Sequence, residues 1–203
     1  MQECARPKLI LSQDKSGGSR VCESADVLAP SDVLAMMPCG LRFLFLDEIL
    51  EVNQTRISAR YRFREDEFFY EGHFPDRAVT PGTVLLEAMC QCGITAHSYY
   101  FLAGELGIEI AKRYRILFTN SEVEWFELVA PGTIVTMHSE LLAWRLRRIR
   151  ARVKMFSQAN TLIAQSLLAG TSVVWSSNDA PENSLSPASE ETETKNFSVR
   201  SLP

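Results

Sequence analysis

Apolar and polar residues follow different periods along this chain, and the changes of period divide it into elements. Leu41-Arg42-Phe43-Leu44-Phe45-Leu46 and Ile57-Ser58-Ala59-Arg60-Tyr61-Arg62-Phe63 read as strands, the second alternating apolar with polar. Thr83 to about Ala103 is of helical length and apolar on nearly every side, so it belongs in an interior. Arg148-Ile149-Arg150-Ala151-Arg152-Val153-Lys154-Met155 alternates strictly, sending four cations to one face and four apolar residues to the core. Together these segments predict an α+β fold, a curved antiparallel β-sheet wrapped around one long central apolar helix. Pairing two such sheets edge to edge would also cover exposed strand edges.

The ends differ from the middle. Residues 1–30 mix charge with Ser12, Ser16, Gly17, Gly18 and Ser19 and show no period, which predicts a flexible N-terminal arm. Residues 176–203 hold serines, prolines and the cluster Glu190-Glu191-Thr192-Glu193, which predicts a disordered acidic tail. One domain over 31–175 remains. A net charge of -4 says nothing in favour of nucleic acid as a partner, and none is expected. Five cysteines, at 4, 22, 39, 90 and 92, do not form a disulfide framework. Cys90 and Cys92 are spaced too closely on a helix to share a face, so no metal site is expected. With no apolar run long enough to span a bilayer and no signal-peptide segment, the expected location is cytoplasmic, away from membranes.

The chemistry concentrates in Gly72-His73-Phe74-Pro75, Pro81-Gly82 and Glu87-Ala88-Met89-Cys90-Gln91. Histidine can act as a base near neutrality, and a carboxylate in an apolar helix is expected to hold a proton it can donate. Pro81-Gly82-Thr83 supplies a helix start whose first amides have no intrahelical partner and can polarise a carbonyl oxygen. Gln91 lies one helical turn beyond Glu87, on its face, placed for either function or packing. Glu87 also suits a residue paired across a dimer, and His138, inside Ile134-Val135-Thr136-Met137-His138, is most simply a strand residue.

These motifs and their spacing resemble the 3-hydroxyacyl-acyl-carrier-protein dehydratases, the FabZ-like branch of the hotdog fold. Pro38 to Tyr61 resembles the family's first strands. Val123-Glu124-Trp125-Phe126 with Pro131-Gly132-Thr133 resembles its crossing strand, and Arg148 to Val174 its closing ones, so the likeness spans roughly residues 32 to 175. The resemblance implies that His73 takes the C2 proton of a 3-hydroxyacyl thioester and that Glu87 protonates the departing hydroxyl. It also implies that the Gly82 N–H contacts the thioester carbonyl while Gln91 orients the carboxylate or a water. Glutamate at 87 resembles the branch that dehydrates without isomerising. The same resemblance implies an acyl carrier protein as partner and no cofactor. It further implies a homodimer whose sites draw histidine and acid from opposite subunits, with a trimer of dimers as a larger assembly.

One departure lies close to the chemistry: after Pro75 this chain has Asp76-Arg77-Ala78 where the family has glycine, any residue, then proline. Arg145, Arg147, Arg148, Arg150, Arg152 and Lys154 put six basic residues in ten positions, suited either to docking an acidic carrier or to a solvated strand face. Tyr99-Tyr100-Phe101 and Phe68-Phe69-Tyr70 are candidates for lining an acyl tunnel or for plain core. The expected function is dehydration to the trans-2-enoyl thioester in fatty acid or polyketide biosynthesis. The alternatives are thioester hydrolysis on the same fold and a non-catalytic acyl-carrier-binding subunit.

Overall fold

The computed structural model describes residues 28–175. The arm expected over 1–30 lies outside the described residues as far as residue 27, as does the tail from 176, and the chain already enters helix α1 at Pro30 (Pro30–Ala35). Strands β1 (Glu48–Val52) and β2 (Arg56–Arg62) follow. The helical stretch runs as α2 (Gly82–Cys90), a π-helical segment (Gln91–Ala96) and α3 (His97–Leu106), then the short α4 (Ile108–Ala111). Strands β3 (Tyr114–Trp125), β4 (Ile134–Arg145), β5 (Arg148–Ser157) and β6 (Leu162–Val174) complete one antiparallel sheet, in the order β1-β2-β4-β5-β6-β3. The central helix and antiparallel sheet match the sequence reading. The sheet is open, with β1 and β3 as its two edges, rather than closed round the helix.

The alternation read in β5 holds residue for residue, with Ile149, Ala151, Val153 and Met155 buried and the intervening cations exposed. The strand expected over Leu41–Leu46 is absent. Leu41–Phe43 is a 3-10 turn, and Phe45 and Leu46 enter the core without joining the sheet. The reason is a distant amide: the Gln91 side chain accepts from the Phe45 N–H at 2.8 Å and donates to the Phe43 carbonyl at 2.7 Å, standing in for a neighbouring strand.

The helix lies unusually close to the sheet. A Cβ on Gly93 would stand 2.4 Å from Val153 Cγ2 and 2.8 Å from Ser139 Oγ, and one on Gly170 would stand 2.5 Å from Ile94 Cγ2. No side chain fits at either position, so the two glycines set the spacing of the layers. Along the sheet the helix begins beside Trp125, passes over Val153 at Gly93 and reaches Trp144 at Phe101. Cys92, Ile94, Ala96, Tyr99 and Leu102 are almost wholly buried, each large apolar side chain worth about 1.5–3 kcal/mol of transfer free energy. No helix of the described residues is long and apolar enough to cross a membrane.

His97 sits in this interior, stacked on Phe101, which stacks in turn on Trp144. Its Nε2–H donates to the Asn53 carbonyl at 2.8 Å, and Nδ1 is buried with no partner among the described residues. Burial pushes the imidazole from its ordinary 6.5 to about 4, only partly opposed by the Asn53 bond, which favours the charged form. The unfolded chain therefore binds a proton that the folded one refuses between these values, and stability is full above about pH 6.5 and falls as pH drops toward 4. The expected loss over that window is about 3 kcal/mol. Urea denaturation at pH 7 and pH 5 should show about 2 kcal/mol of it in the wild type, and His97→Gln should flatten that difference.

Candidate active site

His73 is held from three sides by main chain. Its N–H donates to the Phe69 carbonyl at 3.1 Å, its carbonyl accepts from the Val79 N–H at 3.0 Å, and its ring Nδ1–H donates to the Val79 carbonyl at 2.9 Å. A carbonyl can only accept, so the proton is on Nδ1 and Nε2 carries a free lone pair. The ring is half-buried and stacked on Phe74. The departure at Asp76-Arg77 leaves the turn intact, since Phe74 and Arg77 exchange backbone hydrogen bonds at 3.3 and 3.1 Å. Neither Asp76 nor Arg77 is among the positive-φ residues, so the missing glycine costs no backbone strain. Both are exposed, which leaves the charge of the turn in solvent.

The loop returns through Thr80, whose N–H donates to the Val129 carbonyl at 2.8 Å and whose hydroxyl meets the Tyr70 hydroxyl at 2.6 Å. Helix α2 then opens at Gly82. The Pro81 carbonyl accepts from Val84 and Leu85, so the Gly82 and Thr83 N–H groups lead the helix free of intrahelical partners. Glu87, half-buried one turn further on, accepts from the Gln91 amide at 3.0 Å. Gln91 is itself fixed by Phe43 and Phe45, so the carboxylate is oriented by a side chain clamped between two main-chain groups. Burial first, and then the Glu87 charge, push the Cys39 and Cys90 thiols up, so neither is primed as a nucleophile. No hydrogen bond or ion pair joins His73 to Glu87 among the described residues.

Register places these groups at one end of the sheet, where β2, β3 and β5 finish at Arg62, Trp125 and Ser157 while β4 and β6 begin at Ile134 and Leu162. The six cations do not share that end. Arg148, Arg150, Arg152 and Lys154 project from the face of β5 opposite the helix, and Arg148 lies roughly 20 Å along the strand from Lys154. Arg145 pairs with Arg148 across the far hairpin. Arg147 packs its guanidinium over the Tyr114 ring at 4.9 Å and donates to its hydroxyl, and Arg152 is paired with Glu140 at 3.1 Å. Tyr99, Tyr100 and Phe101 also belong to the far end, where the Tyr99 hydroxyl donates to the Tyr114 carbonyl. Phe68 and Phe69 stay beside Phe45, near the site.

One residue at the site carried no role in the sequence reading. The indole of Trp125 lies against Gly82, with Nε1, Cε2 and Cζ2 at 3.1, 3.3 and 3.5 Å from where a Cβ would stand. Its only signal in the sequence is an aromatic residue closing a strand before a Pro-Gly turn.

Residues 37–165 match the FabA-like domain family. The 3-hydroxyacyl-[acyl-carrier-protein] dehydratase FabZ of Lawsonia intracellularis is 29% identical over 139 residues, 68% of this chain and 87% of that protein. The FabZ of Thermus thermophilus is 31% identical over 120 residues, 56% of this chain and 76% of that one. Among solved structures, the dehydratase heterocomplex ApeI:P of Xenorhabdus doucetiae superposes with a TM-score of 0.59 at 14% identity, over 72% of this chain and 92% of the other, a likeness of fold.

Replacing Gln91 by alanine should leave the buried Phe45 N–H without an acceptor and cost about 1–3 kcal/mol in urea denaturation. A change below about 0.5 kcal/mol, the scale of an ordinary surface substitution, would show that this clamp does not hold the 41–46 segment.

Proposed function

Because the chain belongs to the FabA-like domain family, within its FabZ-like hotdog branch, we propose that it removes water from a 3-hydroxyacyl thioester on an acyl carrier protein, giving the trans-2-enoyl thioester in fatty acid or polyketide assembly. The observation that carries this reading is the His73 ring, whose Nδ1–H is committed to the Val79 carbonyl so that Nε2 is left as a base.

In the proposed reaction His73 Nε2 takes the C2 proton, and the electron pair moves toward the thioester carbonyl. The Gly82 N–H at the head of α2 receives the oxygen as it gains charge. The pair then forms the C2–C3 double bond as the C3–O bond breaks, and Glu87 gives its proton to the departing hydroxyl, which leaves as water. The imidazolium returns a proton to the Glu87 carboxylate, and the pair is restored. Gln91 holds Glu87 in the orientation this transfer needs.

We assign the complete site to a homodimer, with His73 of one subunit facing Glu87 of the other. The absence of a bond between them within the chain supports this, as does the free edge of β3. Trp125, Phe126 and Leu128 are 47%, 50% and 75% exposed at the end of that edge, a patch that a second copy would cover. The carrier docks, on this reading, at the Arg152 and Lys154 end of the cationic stripe, the end closer to the site.

Incubation with 3-hydroxybutyryl-acyl carrier protein should lower the mass of the acyl carrier by one water, and Glu87→Gln should abolish that loss. Release of the acyl chain instead would make the protein a thioesterase, and an unchanged thioester with the wild type would count against this substrate. Mixing inactive His73→Ala and Glu87→Gln variants and letting subunits exchange should restore activity, because some heterodimers then hold one intact site. No recovery after demonstrated exchange would place both groups of a site in one subunit.

A further inference from the structure

We propose that the Trp125 indole N–H is a second donor to the thioester carbonyl, acting beside the Gly82 N–H as the oxygen gains negative charge; this rests on the dehydratase reading above. The nitrogen edge of the indole is the part turned to Gly82, since Nε1 is the nearest of the three ring atoms bordering the glycine. Among the described residues that N–H has no acceptor, whereas the other indole in the helix–sheet packing, Trp144, donates to Glu105 Oε1 at 2.7 Å. Indole is a donor only, so its N–H, without an acceptor among the described residues, lies beside the Gly82 amide, which has no intrahelical partner.

The fold fixes this placement. Trp125 pairs with Ala164 as β3 reaches the site end of the sheet, and its ring is on the helix side, in the same row as the buried Met155 and Ala164. The contact also makes position 82 tight for a side chain: a Cβ there would stand 3.1 Å from the indole nitrogen, and the ring would have to give by a few tenths of an ångström. Two N–H donors on one oxygen make an oxyanion hole, whose effect belongs to the transition state more than to binding.

The test compares wild type with Trp125→Phe and with protein carrying benzothienylalanine at 125, which keeps the bicyclic shape and replaces N–H by sulfur. Two readouts are taken: steady-state kinetics with a 3-hydroxyacyl thioester, and the carbonyl stretch of bound trans-2-enoyl thioester by isotope-edited infrared difference spectroscopy. Both substitutions should lower kcat by roughly 100-fold with KM little changed, and both should raise the stretching frequency of the bound carbonyl. Wild-type kcat and an unmoved stretch with benzothienylalanine would overturn the proposal and leave Trp125 a packing residue. A wild type that binds the enoyl thioester without turning over the hydroxyacyl one would sink the dehydratase reading. The stretch would still decide the hydrogen bond: a shift on losing the N–H sustains the donor, and none removes it.

Discussion

The close approach of helix and sheet at Gly93 and Gly170 is the constraint on which the rest of this structure depends. Two missing side chains, one on each layer, let Ile94 and Val153 fill the seam, and the spacing this sets decides what the flanking residues can reach. At one end it brings the first turn of α2 against Trp125. At the other it closes the stack of His97, Phe101 and Trp144. A bulkier residue at the seam would act at both ends, because a close-packed interior transmits displacement instead of absorbing it.

Main-chain groups do most of the positioning in the site. Val79 fixes the tautomer of His73, and Phe43 and Phe45 fix Gln91, which in turn holds Glu87. Such anchors depend on the course of the backbone and not on neighbouring side-chain identities. This is why Asp76 and Ala78 can stand near His73, where the family has glycine and proline, without opening the turn. The distribution of charge follows the same division: the cations of β5 stand on the solvent face, opposite the side of the sheet that carries the helix and Glu87.

Much of this could be read from the chain because it is encoded locally. The alternation of β5, the apolar helix and the spacing of His73, Gly82 and Glu87 are each properties of a few neighbouring residues. The failures share a cause too. Leu41 to Leu46 has the composition of a strand, but its backbone partner is the side chain of Gln91, nearly fifty residues away, and no local pattern announces that bond. Trp125 reaches Gly82 only through the register of β3 on β6, which periodicity does not specify. The six cations look like one patch in sequence, yet a strand spreads them over its length and a hairpin turns Arg147 back onto Tyr114.

The π-helical segment Gln91–Ala96 divides the central helix in a way that its near-continuous apolar sequence conceals. A π turn is in effect one residue more than an α-helix would use, so the two halves are out of phase by roughly 100°. Glu87 on the leading half and Gln91 at the head of the π segment are joined and, through Gln91, tied to the 41–46 segment, while the trailing half presents Tyr99 and Leu102 to the interior. The segment works as a rotary joint frozen at one setting: it uncouples the direction set for Glu87 from the direction in which the rest of the helix packs.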